Sequence, residues 1–522
     1  MPYDYQPYPY APPPGLLAPE PRHDVIVVGA GPVGLAMALE LANHGVSSVI
    51  LDANNVVSVG SRAICWSKRS LEIFDRLGIG DKAAEKGVTW QVGRTFHRKA
   101  EVWSFDLMPE PGHKRPAFVN LQQYYVEEYL IARARARVDR VDLRFRNQVT
   151  GLRQARDHVV VSVETPDGAY ELEARYVIAC DGARSSLRDM LGLDFAGELF
   201  EERFLIADIE MLGDMPDERH FWFEPPFHPG QSALMHKQPD HIYRIDLQLG
   251  WDADPEQEKR PEIVIPRIER VVGHRNFRLD WVSVYSFQCR RLERFVHDRV
   301  LFVGDSAHIV SPFGARGGNG GLQDVDALGW RLAAALDGRA PAKAMLAAYD
   351  RERTFAADEN IRNAARTTRF MSPRPGAERL FRDSVLALAE QAPFARALIN
   401  GGRLSVPCIY PSDGPDDDRM PGVSRPGAVA PDAPLPGGGW LIDRLSGRPV
   451  LLDIGGAAPA DPPEGVERLR LDPTPELAAR YLGACDKAAY LIRPDQVVAA
   501  RWAAPSAAAI GAARDALWVG GS

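Results

Sequence analysis

The stretch Asp24-Val25-Ile26-Val27-Val28-Gly29-Ala30-Gly31-Pro32-Val33-Gly34-Leu35-Ala36-Met37-Ala38-Leu39 decides the fold of this chain. Its β-branched start predicts a buried strand, its Gly-x-Gly-x-x-Gly centre a tight turn, and its end a helix. Each glycine has a separate task. Gly29 lets the chain turn after the strand, Gly31 lets backbone approach a pyrophosphate, and Gly34 lets the helix lie close to the sheet. The pyrophosphate belongs on the free N–H groups at the helix N-terminus, where the macrodipole favours negative charge. Pro32 suits the first helical turn, which can do without a donor. The helix runs to Asn43-His44-Gly45, with Gly45 suited to a C-cap. A second strand, Ser48-Val49-Ile50-Leu51, ends on Asp52, 23 positions after Gly29. That is close to the ~20 expected of the acid that binds a ribose 2′-OH. A tight turn with no ligand would need the glycines but not the acid, so the pattern predicts an adenine dinucleotide, with FAD and NAD(P) both open.

At 522 residues the chain has room for two to four domains of ~100–200 residues each. Hydrophobic residues make up 45% and charged residues 25%, so a large buried core is available. The formal net charge of −8 argues against nucleic acid, which needs a basic face, while leaving room for a local basic pocket. Cys65, Cys180, Cys289, Cys408 and Cys485 lie far apart without a Cys-x-x-Cys pair. They imply a reduced compartment, no disulfide framework and no metal site. The start of the chain lacks the basic and apolar regions of a signal peptide. The most apolar window, Val25 to Leu41, falls short of the ~20 residues of a membrane span. No integral membrane segment and a cytoplasmic location are therefore expected.

Residues 1–22 are rich in Pro and Tyr and favour extended polyproline II. Two readings stand: a disordered leader, or a strap whose tyrosines pack on the body or on a partner subunit. Helical patterns follow at Lys68 to Leu77 and from Gln123, whose Arg133, Arg135 and Arg137 read as a solvated face. A buried strand, Tyr176 to Cys180, ends on Asp181-Gly182. From about Phe195 to Phe287 helical periodicity gives way to alternating strands, an inserted β-sheet. The nucleotide fold resumes with Arg299 to Val303, ending on Gly304-Asp305. A loop with five glycines, Pro312 to Gly321, leads into a helix from Leu322; close approach of backbone to a flat ligand explains so many glycines at one place. Long helices are expected over Ala342 to Arg369 and Ala377 to Leu398. A Pro/Gly/Asp-rich linker covers 407–440, and a small α/β module closes the chain.

Gly29 to Gly34, Asp181-Gly182 and Gly304-Asp305, in this order and with a β insertion between the last two, together resemble the single-component flavin-dependent aromatic hydroxylases. The class is typified by p-hydroxybenzoate hydroxylase, and the length points to the phenol hydroxylase and 3-(3-hydroxyphenyl)propionate hydroxylase branch. The resemblance implies an α/β fold with a Rossmann-like FAD-binding domain (23–194 and 288–400) and a β-sheet substrate domain (195–287). An extension (1–22), a linker (401–440) and a thioredoxin-like module (441–522) complete the chain. Without Cys-x-x-Cys that module is left with packing or dimer contacts, and a homodimer is one expected assembly.

Carried over residue by residue, the resemblance places the ADP half of FAD on Gly29, Gly31, Pro32, Gly34 and Asp52. Arg62 and Gln123 match FAD-contacting positions; the bland reading of Arg62 is a surface arginine. Asp181 and Gly182 serve FAD and the transient approach of NADH or NADPH, and Asp305 holds the ribityl chain. Gly318 and Asn319 match the pyrimidine edge of the flavin, Pro312 the reaction centre, and Arg316 a cation near flavin N1. The family usually has Glu where this chain has Asp52. Gly320-Gly321 after Asn319 implies a more mobile loop, and no second nicotinamide-binding glycine motif is present.

The implied reaction is hydroxylation of a small phenolic or related aromatic substrate. Non-covalent FAD is reduced by NADPH or NADH and reacts with O2 to a flavin C4a-hydroperoxide. Water must be kept out, and a His, Tyr or water chain must take the phenol proton. Candidates on the inserted sheet are His220, His236 and Tyr243 for catalysis, and Trp222 and Arg244 for substrate binding. Taken singly, each is as well explained by packing. Two alternatives remain: a tailoring monooxygenase, hydroxylating or Baeyer–Villiger, on a polycyclic substrate, and a non-catalytic FAD-binding protein.

Overall fold

The apolar run His23–Val28 forms a strand whose last four residues are buried. It lies inside an eight-stranded sheet of a computed structural model that describes residues 3–520 apart from 91, 107–109, 214–217, 251–252, 397, 400–404 and 446. Across this nucleotide sheet the order is Val296–His297, Val300–Phe302, Gly168–Ala179, His23–Val28, Ser48–Asp52 and Val141–Phe145. The four central pairings are parallel, as apolar strands alternating with helices require. Two antiparallel strands, Gln148–Gln154 and Val159–Thr165, branch from Gly168–Ala179. Because these central strands run in one direction, the segments after Val28, Leu51, Ala179 and Phe302 leave the same edge. Motifs up to about 280 residues apart in the chain therefore meet at one crevice, where doubly wound sheets bind ligands.

Seven helices position the rest: α1 (Pro32–Asn43), α2 (Lys68–Leu77), α3 (Gln123–Arg135), α4 (Pro261–Val272), α5 (Gly317–Leu336), α6 (Ala342–Met371) and α7 (Ala377–Gln391). α5 packs on both α1 and α6. It begins at Gly317, five residues ahead of the expected start at Leu322. Gly320 and Gly321, expected in a mobile loop, are buried in its first turns. A Cβ on Gly321 would press on Val33 of α1 and on the Gly304 backbone, and one on Gly320 on the His308 ring. These glycines buy close packing rather than mobility. The helix expected over 377–398 ends at Gln391, where Pro393 starts a separate turn.

A second eight-stranded sheet runs His308–Ile309, Phe277–Leu292, Phe195–Met211, Ile242–Gln248, Ser232–Lys237, Arg219–Phe223, Val92–His97 and Ala100–Asp106. Its last two strands come from well before the expected insertion. That hairpin turns through the charged Arg98-Lys99 with Arg98 at a φ of +56°. Its alternation is blurred by Arg94, Thr95 and Glu101, and it is ordered by parallel pairing with Arg219–Phe223. Pairing alone sorts the strands' side chains into two faces. Leu205, Ala207, Met235, Tyr243 and Ile245 form an outer core with Val264 and Ile268 of α4. Phe204, Phe221, Phe223 and Leu234 face inward and pack with Phe313 and the α6–α7 region.

The C-terminal module has a four-stranded sheet, Glu467–Leu471, Val450–Ile454, Ala488–Ile492 and Val498–Trp502, with the first pair parallel and the others antiparallel. The helix Ala507–Trp518 covers one face. Residues 401–404 of the expected linker lie outside the described residues. The Tyr-rich start packs on the body, against α3. Among the described residues no helix is long and apolar enough to cross a membrane.

Candidate active site

The glycine turn is built by packing. Gly29 has a φ of +105°, and a Cβ there would collide with the Cys180 carbonyl, so only glycine can make this turn. A Cβ on Gly34 would collide with the Gly29 carbonyl, which is how α1 comes to lie directly on the turn. Gly31 caps α1, with Pro32 as its first residue, and nothing lies within 4 Å of the place a Cβ would take. The outer two glycines are fixed by protein, and the middle one faces open space at a helix N-terminus. Asp52 receives the N–H groups of Ala30 at 2.6 Å and Asn54 at 2.7 Å. Burial pushes its carboxyl above the ordinary value.

Asp181 accepts from Leu187 N–H at 3.1 Å and Ser186 O–H at 3.3 Å through Oδ2. Its Oδ1 is buried without a partner. Gly182 (φ +78°) has no neighbour where a side chain would stand. Asp305 is solvent-exposed, yet burial in the surrounding protein pushes its carboxyl up. Asp305 thus offers an open carboxylate in surroundings that desolvate it. The orphaned oxygen on Asp181, the bare Gly31 and the open carboxylate of Asp305 fit the hydroxyls and phosphates of FAD.

Arg62 is exposed, and its charge acts on both Glu127 and Asp305. Gln123 opens α3, accepting the Ala63 N–H at 3.1 Å and donating to Ser58 and Glu127, each at 2.8 Å. Gly318 faces the Trp66 ring and Ala63. The Asn319 side chain is wholly engaged: it donates to the Cys65 and Ala315 carbonyls and accepts from Ser67 N–H and Ser70 O–H. It therefore ties α5 to the segment 65–70, which leaves its backbone for any contact with a flavin. Arg316 is buried at the start of α5 and donates to Asn360 of α6 at 3.2 Å. Pro312 is exposed at the head of a turn closed by Ala315 N–H at 3.0 Å. The adjoining Phe313 packs edge-on to Phe204 and Phe287.

The sheet faces separate the expected substrate residues. His236, paired with Arg244 across the strands, shares the inner face with Leu234 and Asp208. His220, Trp222 and Tyr243 are each one residue out of phase and fall on the outer face. There Trp222 packs with Phe96 and Phe227, and His220 meets Glu218 at 3.1 Å. Tyr243 belongs to the core under α4. The structure thus brings His236 and Arg244 to the face that packs on Phe313, in the loop leading into α5, and does not bring the other three.

Arg219 is the inner-face residue the sequence reading missed. It is only 4% exposed. It lies over the rings of Trp90 and Phe221, and its Nη1 approaches Cys65 Sγ at 3.4 Å. Among the described residues no carboxylate pairs with it. Asp246 is bound instead to Arg244 Nε at 2.8 Å, and Arg244 also donates to the carbonyls of Ser61 and Arg62. Burial lowers the Arg219 pKa. Burial, then Arg219 and Arg244, hold His236 well below the usual histidine range, so its ring is neutral. Four buried polar atoms without a hydrogen-bond partner gather on this one face: Thr95 Oγ1, His97 Nε2, Arg219 Nε and His236 Nδ1. The alternation of Arg219-His220-Phe221-Trp222-Phe223 was the available signal, since Phe221 and Phe223 mark the buried phase and carry Arg219 with them.

A family model described as FAD binding domain matches residues 22–364. A flavin-dependent monooxygenase of Mycobacteroides abscessus is 30% identical over 496 residues, 90% of this chain and 95% of that one. A 3-(3-hydroxy-phenyl)propionate/3-hydroxycinnamic acid hydroxylase of Burkholderia vietnamiensis is 31% identical over 71% of this chain and 67% of its own. A dialkyldecalin synthase of Streptomyces rugosporus is 29% identical over 92% and 96%. The crystal structure of the flavin-dependent monooxygenase PieE, in complex with FAD and substrate, superposes with a TM-score of 0.78 at 22% identity, covering 96% of this chain and 99% of that one.

Proposed function

This chain belongs to the FAD binding domain family, among the flavin-dependent aromatic monooxygenases, and we propose that it hydroxylates an aromatic substrate carrying an acidic group. The observation that supports this is Arg219, a buried guanidinium that no carboxylate pairs with among the described residues. A buried charge left unpaired costs ~3–5 kcal/mol, a cost that a phenolate or carboxylate would offset by pairing with it. The surrounding Trp90, Phe118, Phe221 and Leu234 suit an aromatic ring. FAD, when bound, supplies the electron transfer and oxygen chemistry, with NADH or NADPH as reductant. The protein's part is to orient the ring and handle a proton. The neutral His236, with Nδ1 unused, is placed to accept the hydrogen bond of a phenol hydroxyl as its proton leaves, and Arg219 stabilises the oxyanion. Around these polar groups the inner face is lined by Phe204, Phe221, Phe223 and Leu234 and packs against Phe313 and the α6–α7 region, which limits the access of water to the reacting ring.

The test is a screen of phenols and aromatic acids for stimulated NAD(P)H oxidation, with product mass. Acidic aromatics should stimulate it and give a product heavier by one oxygen. A preference for neutral amides or methyl ethers of the same rings would refute the acidic-group reading. A second reading is supported by the likeness, over 92% of this chain, to a protein named a dialkyldecalin synthase and not a monooxygenase: an activity other than hydroxylation on the same fold. Substrate conversion in the absence of NAD(P)H would favour it.

A further inference from the structure

The FAD site has a wall that its family motifs do not include. The segment 53–62, which joins Asp52 to Arg62, has little regular structure and is held from three sides. α3 holds it through Glu127, which accepts from Ser58 N–H and O–H at 2.5 and 2.7 Å. The inserted sheet holds it through Asp208, which accepts from Ser61 N–H and O–H at 3.2 and 2.7 Å, and through Arg244. The third side is the N-terminal Pro/Tyr segment. Gly60 N–H donates to the Tyr5 hydroxyl at 3.0 Å. Tyr8 and Asn55 exchange two hydrogen bonds: Tyr8 N–H to the Asn55 carbonyl at 2.6 Å, and Asn55 Nδ2 to the Tyr8 carbonyl at 2.8 Å. The Tyr8 ring stacks on Phe145, 5.1 Å away with the planes 9° apart. Phe145 pairs directly with Asp52 in the nucleotide sheet. Tyr3 and Tyr5 seat the segment on Tyr124 of α3, and Arg135 covers Tyr8. Further on, Glu20 closes it with two bonds to Arg144.

We propose that the N-terminal segment is a clasp on the FAD site: Tyr5 and Tyr8 hold the segment 53–62 down, and so slow the release of FAD. Tyr5 acts here as a positioning residue, since it touches the Gly60 backbone and reaches FAD only through the segment. Gly60 has little freedom to find another place. Its φ is +77°, and a side chain on it would collide with the Trp281 ring of the inserted sheet. The clasp, the segment and the sheet are thus in one line of contact. The segment adjoins Asp52 at one end and ends on Arg62 at the other, so holding it down holds both residues in place. The inference rests on FAD occupying the motif crevice.

The test uses the full-length holoprotein, loaded with FAD, diluted, and followed by the rise in flavin fluorescence on release. Tyr5→Phe keeps the ring and removes only the acceptor, so release should quicken about three- to tenfold, the effect of one hydrogen bond. Deletion of residues 1–10 should quicken it more. Tyr481→Phe likewise removes one phenolic hydrogen bond, to the Pro431 carbonyl at the C-terminal module and away from the clasp, and should leave the rate unchanged. Release at the wild-type rate from Tyr5→Phe and the deletion would overturn the clasp, as would equal acceleration by Tyr481→Phe. If the deletion does not fold, Tyr5→Phe decides alone. Failure of the wild-type protein to take up FAD would overturn the cofactor assignment together with the clasp, and is seen before any variant is compared.

Discussion

Asp305 and Arg219 are opposite solutions to the same problem, a charge set deep in the protein. Asp305 keeps access to solvent and accepts no hydrogen bond among the described residues, so its carboxylate is available to hydroxyl donors. Asp305→Ala should weaken FAD binding ten- to a hundredfold, equivalent to ~1.5–3 kcal/mol for a charged hydrogen bond. Titration of apoprotein with FAD measures it, and unchanged affinity would make Asp305 structural. Arg219 has almost no access to solvent and, among the described residues, no carboxylate, so its burial costs stability. Arg219→Met should therefore raise the thermal midpoint of the substrate-free protein while raising KM for acidic substrates at least tenfold. A purely structural arginine would lose stability on the same change and leave KM alone. His236 adds a pH signature. Its folded pKa lies below the unfolded value of ~6.5, so the unfolded chain takes up a proton first as pH falls. Its contribution to stability is present above that pH and is lost below it. His236→Gln should flatten the fall in stability between pH 7 and 5. A wild-type slope there in the variant would place the titration elsewhere.

Elements show where the sequence could be read and where it could not. The strand, turn and helix around Gly29 were legible because local sterics dictate them: three glycines, one helix start and one acid. α2 and α3 were legible from apolar spacing and, for α2, a Gly78 cap in the left-handed conformation. Two features were not. The start of α5 was hidden because glycine reads as loop, while α1, Gly304 and His308 leave room for nothing larger. The face of each strand in the inserted sheet was hidden because both faces are buried, one under α4 and one toward the flavin loop. Aromatic residues therefore mark neither. His220, Trp222 and Tyr243 have the right chemistry and the wrong phase, whereas His236 and Arg244 have both. Tyr243→Phe and Trp222→Leu should accordingly lower the thermal midpoint and leave KM within about twofold, the range expected of residues that do not touch ligand. A tenfold change in KM from either would return the outer face to the site.

Across the whole molecule the C-terminal module meets the FAD-binding body at several places, among them Trp518 on Trp330 and Arg480 on the Pro111 and Gly112 carbonyls, and most of the buried charge lies at one tight turn, Arg493-Pro494-Asp495-Gln496. Arg493 makes a two-pronged pair with Glu352 of α6 at 2.7 and 3.0 Å, and binds Asp495 at 2.9 and 2.5 Å. Arg331 of α5 joins Glu352 at 2.8 Å, and Gln496 accepts from Arg69 and Arg76 of α2. One helical residue further along α6, Arg353 links Tyr410, at 2.6 Å, to Asp324, which in turn accepts the Gly304 N–H beside Asp305. The module is thus tied to the helices that carry the flavin loop. Burial alone would raise Glu352 and Asp495. Their arginines outweigh it, holding Glu352 below its usual range and Asp495 at about 2. Depressed carboxyl pKa values give stability that is present above ~4, where the unfolded chain titrates, and is lost as pH falls toward 2. Arg493→Leu leaves two buried carboxylates to share Arg331 and should cost ~3–5 kcal/mol. It should also shift acid unfolding to higher pH, since both carboxyls then protonate sooner. Thermal and acid unfolding of the FAD-loaded protein measure both effects, and FAD fluorescence reports whether the flavin leaves in the same transition. Early unfolding of the module with FAD retained would mean that the turn holds the module alone; release in one step would mean that it also holds the floor of the FAD site.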